Sequence, residues 1–166
     1  VSRRTALADV GGFDETLQRA QDWELNYRLR TAGHLVYFSP ALRVAYRPRD
    51  SFGALARQFY RTGQWRREVA RRHPETLSLR YLAPPVAVSA MGAGIVGGIV
   101  GLVLRNRLLT GLFIVPLTYL LFQGVATATM AGLSPAARLR LPAVLATMHI
   151  AWGLGFLVGV RSEDRG

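Results

Sequence analysis

A short stretch near the N-terminus holds the residues best suited to catalysis. It contains two adjacent glycines, four carboxylates and one indole, namely Gly11, Gly12, Asp14, Glu15, Asp22, Trp23 and Glu24. A carboxylate can take the proton from a sugar hydroxyl, and an aromatic face can stack on a pyranose ring. Adjacent glycines allow the backbone to approach a ligand closely. The stretch therefore suits carbohydrate chemistry. These residues leave open the alternative that Asp14 and Asp22 cap helices and Trp23 belongs to a core.

The sequence around and after these residues predicts one helix and two short strands. Apolar residues recur at helical spacing from Asp22 to Ala32, and Gly33 follows directly. Residues 35–38 and 43–46 have strand-like composition and are bounded by turn residues. Residues 1–50 are therefore predicted to be an α/β fragment. Because so few elements do not close a core, we expect this chain to be the C-terminal piece of something longer, or a gene model with an alternative start.

A basic amphipathic helix is predicted next, in residues 51–82. Ser51 is suited to cap it, its apolar residues follow helical spacing, and His73-Pro74 ends it. Six arginines lie on its other faces, and Gly63 divides it in the middle. A helix of this kind directly before an apolar segment is typical of the membrane interface, with its arginines on anionic lipid.

Residues 83–166 are predicted to form an all-α membrane domain. Residues 83–104, 108–131 and 141–160 contain no charged side chain, and each segment is long enough to cross a hydrocarbon core about 30 Å thick. Seven arginines flank the ends of these segments on the side of residues 1–80, and four flank the other side. This bias predicts a multi-pass protein of the cell membrane with a cytoplasmic N-terminal half and an external C-terminus.

The net charge of +11 does not indicate a nucleic-acid-binding protein. All 21 basic residues are arginines, and 15 of them lie in residues 1–80 beside the first apolar segment. No recognised nucleic-acid-binding motif accompanies them. The chain has no cysteine, which excludes disulfides, thiolate metal sites and cysteine nucleophiles. The charge is better explained by lipid headgroups and membrane topology.

Two sets of motifs resemble a known enzyme family. The first set is Val10 to Glu15, Gln21 to Leu25, Arg28-Leu29, Gly33, Tyr37 and Pro40, and it resembles the acceptor half of family 2 glycosyltransferases. The second set resembles the membrane-bound, succinoglycan-type branch of that family. It consists of Tyr46 to Arg49, Gln58, Gly63, Trp65-Arg66, His73-Pro74 and Pro84-Pro85.

The resemblance implies an inverting transfer of a sugar from a nucleotide-sugar donor, on a GT-A fold. Asp22 would be the general base on the acceptor hydroxyl, with Gln21 where many members have Glu. Gln58 and Arg61 would hold the donor pyrophosphate. The implied acceptor-binding residues are Gly11, Gly12, Phe13, Asp14, Trp23, Glu24 and Trp65. Trp65 stands four residues after Arg61, whereas processive relatives have this tryptophan directly after the arginine.

The resemblance also implies parts that this sequence does not contain. The family's divalent cation, Mg or Mn, is held by an Asp-x-Asp motif that would lie upstream, and we predict no metal site in these residues. The expected acceptor is a lipid-linked saccharide, in the synthesis of an exopolysaccharide or a cell-envelope glycan. The 166 residues alone are not expected to turn over donor. The alternative function is a non-catalytic membrane module that anchors or assembles a partner through its arginine-rich helix and glycine-lined spans.

Overall fold

A computed structural model describes residues 3–160 of the chain apart from Phe38, Leu42, Tyr46 and Pro48. Regular structure in these residues is helical throughout, with short 3-10 turns at Pro74–Thr76 and Gly111–Phe113. The α-helices of the described residues are α1 (Arg4–Asp9), α2 (Gln21–Thr31), α3 (Phe52–Arg72), α4 (Leu79–Val103), α5 (Arg107–Thr110), α6 (Ile114–Thr129) and α7 (Pro135–Val158).

The two predicted strands do not form in the part of the chain that is described. Residues 34–37 and 43–45 have no regular secondary structure, and the other strand positions, Phe38 and Tyr46, lie outside the described residues. A strand is stable only beside a partner strand, and the described ranges supply none. The side chains of Leu35 and Val44 are accordingly 98% and 88% exposed. The α/β prediction for residues 1–50 is therefore not supported here.

The predicted helix after the glycine pair is confirmed as α2. It buries Leu25 and Leu29 on one face. Acidic residues occupy its first turn and arginines its last, which matches the direction of the helix dipole. Gly33 follows with a φ of 84°, and its N–H donates to the Arg30 carbonyl at 3.1 Å. The local signals in the sequence were sufficient for this element.

Helix α3 is continuous and lies lengthwise along α7. The Ser51 hydroxyl accepts from the Ala54 N–H at 3.3 Å, which confirms the predicted cap. Gly63 does not divide the helix; it lies where α3 meets the backbone of α7 at Trp152. Farther along, Gln64 Nε2 donates to the Gly159 carbonyl at 2.8 Å. Its predicted position at the membrane interface, with its arginines on anionic lipid, stays a prediction, and the structure adds that α3 packs against α7.

Close approach of the two helices depends on Gly63. A β-carbon at position 63 would overlap the Trp152 carbonyl oxygen. We expect Gly63→Ala to lower the free energy of unfolding by about 1–3 kcal/mol, because the backbones must separate. Thermal unfolding in detergent measures this. The matched control is Gly124→Ala in α6, where a β-carbon meets nothing within 4 Å. Equal melting temperatures for both variants would contradict the close packing.

Three segments are long and apolar enough to cross a membrane. They are Leu79–Val103, Arg107–Thr129 and Pro135–Val158, close to the three segments expected from the sequence. The second comprises α5, a 3-10 turn and α6, which pack on α4 where Gly94, Gly98 and Gly101 leave room. Large apolar side chains of these helices face outward. The apolar helices indicate a membrane-associated protein.

The largest apolar cluster joins the two halves of the sequence. Leu17, Trp65, Val69 and Val160 pack together and are buried, and Ala20 packs against them. Val160 is two residues after the end of α7, so the end of that helix lies beside the segment that leads into α2. This contact does not fit the expectation that residues 1–80 and the C-terminus lie on opposite sides of the membrane.

Candidate functional site

Asp22 lies on the exposed first turn of α2. Within the described residues its carboxylate has no hydrogen bond or ion pair. Ala20, directly before the helix, has a left-handed φ of 63°, which is unusual for a residue with a β-carbon. Packing of Ala20 on the Leu17 cluster maintains this conformation and sets the direction in which the helix starts. The result is an accessible carboxylate on a fixed support, which suits a general base.

Glu24 and Arg28 hold the glycine pair in place. Arg28 donates from Nε and Nη2 to the two carboxylate oxygens of Glu24, at 2.6 and 2.7 Å. Its Nη2 also donates to the Gly12 carbonyl at 2.8 Å, and its Nη1 donates to the Val10 carbonyl. Gly11 and Gly12 both have a φ of 74°, where other residues are strained. The buried Glu24 is therefore placed to support the loop through Arg28, and its acceptor-binding role stays a prediction.

Asp14 connects the same loop to α3. It accepts from the Thr16 hydroxyl at 2.6 Å and from Arg72 Nη1 at 2.6 Å. These contacts lower the pKa of Asp14, with the Thr16 hydrogen bond as the largest cause. Arg72 also pairs with the buried Glu68, whose pKa is lowered to about 2, chiefly by its hydrogen bond from Arg71. The loop is thus tied to both α2 and α3.

Two aromatic side chains, Phe13 of the loop and Trp23 of α2, are partly exposed. The Phe13 ring is half-exposed, and the Trp23 ring is 38% exposed. Trp23 meets Tyr81 edge-on, with ring centroids 5.2 Å apart. Both Phe13 and Trp23 can therefore be reached by a sugar.

Gln58 and Arg61 lie in a pocket of about 200 Å³ that is lined almost entirely by arginines. Arg49 Nε donates to Gln58 Oε1 at 2.8 Å. No carboxylate is among the lining residues described, which are Arg19, Arg49, Ala54, Arg57, Gln58 and Arg61. Arg19 is three positions before Asp22, so the pocket adjoins the segment that carries the candidate base. Four guanidinium groups in one small pocket favour a phosphorylated ligand.

Trp65 is buried, unlike the predicted acceptor-binding residues Phe13 and Trp23. It is 5% exposed and belongs to the Leu17 cluster. Its acceptor-binding role stays a prediction, and its burial favours a packing role.

The described residues do not fit a divalent cation. Glu24, which has the spacing from Asp22 of a metal pair, is buried against Arg28. No group of three or more histidine or acidic side chains in the described ranges is arranged to hold a metal ion. The divalent cation that the resemblance implies, through an upstream motif, stays a prediction.

Sequence reasoning missed several arginines of the site. Arg57 is four residues before Arg61 and so shares its helix face, which is a signal that could have been used. Arg19 and Arg49 come from loops, and no local pattern places them in the pocket. Arg66 was given no role of its own in the sequence motifs, and in the structure it is buried between Trp23 and Tyr81.

Known glycosyltransferases are similar to part of this chain. The succinoglycan biosynthesis protein ExoA of Rhizobium meliloti (strain 1021) is 34% identical over 92 residues, which are 55% of this chain and 28% of that protein. The pre-mycofactocin glycosyltransferase of Mycobacterium tuberculosis is 37% identical over 76 residues, which are 45% of this chain and 16% of that protein. The chain thus spans less than a third of the length of these relatives.

These similarities confirm that the chain carries a family 2 glycosyltransferase-like region. No protein-family profile matches the chain, and no solved structure matches it.

Proposed function

We propose that this chain provides the acceptor side and the membrane attachment of an inverting family 2 glycosyltransferase. The enzyme transfers a sugar from a nucleotide-sugar donor to a lipid-linked saccharide, in the synthesis of an exopolysaccharide or a cell-envelope glycan. Residues 1–50 form the acceptor-side end of a GT-A domain, residues 51–82 the basic helix and linker, and residues 83–166 the membrane domain. Residues 1–80 face the cytoplasm and contact anionic lipid.

The proposed reaction is a single displacement at the anomeric carbon. Asp22 takes the proton from the acceptor hydroxyl, and that oxygen forms a bond to the anomeric carbon of the donor. The bond from this carbon to the diphosphate breaks at the same time, so the configuration inverts. The leaving nucleoside diphosphate gains negative charge, which nearby guanidinium groups stabilise.

The observation that carries the proposal is the arginine pocket around Arg61. Gln58 and Arg61, assigned to the donor pyrophosphate from the resemblance, lie there with three further arginines. A pyrophosphate needs several cationic donors, and a carboxylate in the pocket would repel it. The pocket is supplied by α3, by the loop before α3 and by the segment leading into α2. Arg19 of the pocket is three residues before Asp22 in the sequence, which supports a donor phosphate in the region of the candidate base.

Inorganic pyrophosphate tests the pocket separately from the nucleoside and the sugar. We expect Arg61→Gln in the 166-residue chain to weaken pyrophosphate binding about tenfold, as a charge-assisted hydrogen bond is lost. Isothermal titration calorimetry in detergent at low salt measures the affinity. The control is Arg71→Gln on the same helix, which removes an equal charge outside the pocket. Equal weakening by both substitutions would indicate diffuse charge and would contradict the pocket assignment.

A further inference from the structure

Arg66 of α3 is a buried cation for which the described residues provide no counter-ion. Only 3% of the residue is exposed. Its Nη1 donates to Thr76 Oγ1 at 3.3 Å and its Nη2 to the Thr76 carbonyl, while its buried Nε has no partner. A buried charge without an opposite charge is costly. The position therefore favours a negatively charged ligand.

Tyr81 brings a second guanidinium group close to Arg66. The Arg66 guanidinium carbon lies 4.0 Å from the centroid of the Tyr81 ring, and that of Arg80 lies 4.7 Å from it. Arg80 Nη2 also donates to the Tyr81 hydroxyl at 2.7 Å. The pKa of Arg66 is lowered, first by burial and also by the charge of Arg80. An anion bound between the two arginines would relieve both effects.

The cavity that these side chains line has an excess of positive charge. It measures about 540 Å³ and includes Arg30, Arg66 and Arg80, against the single carboxylate of Glu75. Glu75 accepts a hydrogen bond from the Tyr27 hydroxyl, so this carboxylate already has a partner. The charge balance matches a phosphate group.

An apolar groove continues from this cavity towards the membrane helices. Trp23, Arg80 and Tyr81 line both spaces. The groove also measures about 540 Å³, and its other lining residues are Phe59, Pro84, Met148, His149 and Trp152. Arg80 lies in the first turn of α4, where the charged part of the sequence gives way to the first apolar span. A molecule that fills both spaces must have a negative head and a hydrocarbon chain.

We propose that Arg66 and Arg80, with Trp23 and Tyr81, bind the phosphate of a membrane lipid whose hydrocarbon chain lies in the groove along Pro84 and Trp152. The site is separate from the arginine pocket around Arg61. The proposal builds on the proposed function, because a lipid phosphate beside Trp23 would hold the acceptor next to Asp22. A free phosphate would use the arginines but would leave the apolar groove unfilled.

Phosphatidate with brominated acyl chains is a suitable probe, because bromine quenches the fluorescence of a tryptophan that it contacts. Trp23 and Trp152 both line the groove. We expect saturable quenching of the 166-residue chain in phosphatidylcholine nanodiscs that contain this lipid, and no saturable quenching with brominated phosphatidylcholine alone. Arg80→Gln should weaken the apparent affinity about tenfold. Arg66→Gln should weaken the apparent affinity by the same factor if that variant folds. Because Arg80 is exposed, Arg80→Gln is expected to fold and tests the site even if Arg66→Gln does not fold.

Arg57→Gln provides a crossed control. It removes an equal charge from the arginine pocket, so it should weaken binding of pyrophosphate and leave the affinity for phosphatidate unchanged. Equal loss of phosphatidate affinity in the Arg57 and Arg80 variants would overturn the site. Displacement of the lipid by millimolar inorganic phosphate would overturn the lipid as occupant. Because each substitution addresses one ligand, failure of the lipid site leaves the donor assignment intact, and the reverse also holds.

Discussion

Asp22→Asn is expected to abolish sugar transfer by the intact protein in its native membranes. Asparagine keeps the shape of the side chain but cannot accept the proton of the acceptor hydroxyl, and loss of a general base costs roughly 10²- to 10⁴-fold in rate. Binding of donor should persist, because the arginine pocket is unchanged. The measurement is incorporation of labelled sugar into membrane-bound product, with donor binding assayed in parallel.

Asp9→Asn is the matched control for this experiment. Asp9 is an exposed carboxylate at the end of α1, and its contact is His34, at 3.2 Å. We expect this variant to retain transfer. If Asp22→Asn also retained transfer, Asp22 would be removed from the role of base, and the alternative of a non-catalytic membrane module would be favoured.

Replacement of Arg28 with methionine is expected to lower the free energy of unfolding by about 3–5 kcal/mol, because it leaves the buried Glu24 without its main partner. The substitution also removes the hydrogen bonds to the Val10 and Gly12 carbonyls that fix the glycine loop. Sugar transfer should therefore fall even at temperatures where the variant stays folded. Urea unfolding in detergent measures the stability, and the transfer assay measures the second effect.

A double-mutant cycle separates the buried charge from the loop. Glu24→Gln neutralises the carboxylate, so Glu24→Gln with Arg28→Met should be less destabilised than Arg28→Met alone. Arg30→Met, two residues along the same helix, controls for loss of a surface arginine. Additive losses in the double variant would show that Glu24 and Arg28 are not coupled, contrary to the two short contacts between them.

Local signals in the sequence predicted the helices well, and the reason is physical. Helix caps and periodic apolar residues act within a few positions, as at Ser51 and around Leu25. Strands at residues 35–38 and 43–46 would need partner strands, and the composition of these residues does not show whether partners are present. Helix α3 shows the same limit: its amphipathic pattern indicated that one side is covered, but not that α7 covers it.

The same distinction between local signals and tertiary contacts applies to the residues of the candidate site. Asp22, Gln58 and Arg61 were predicted from their resemblance to the family motifs, and their roles stay predictions. The ion pair of Glu24 with Arg28 has the i,i+4 spacing that the sequence alone indicates. The hydrogen bond from Arg28 to the Gly12 carbonyl could not be predicted, because it depends on a loop folding back over sixteen residues. The contribution of Arg66 depends on Thr76, Trp23 and Tyr81, which come from different elements.

The contact of Val160 with Leu17 has a consequence for how often the chain passes through the bilayer. If residues 1–80 lie at one face, Val160 lies at that face too, so the number of passes between them must be even. Of the three segments that are long and apolar enough to span, Leu79–Val103 and Arg107–Thr129 would then make two passes, and we expect Pro135–Val158 to begin and end on the side of residues 1–80. Because the chain has no cysteine, one cysteine introduced at Ser162 and labelled with an impermeant maleimide would report the face directly.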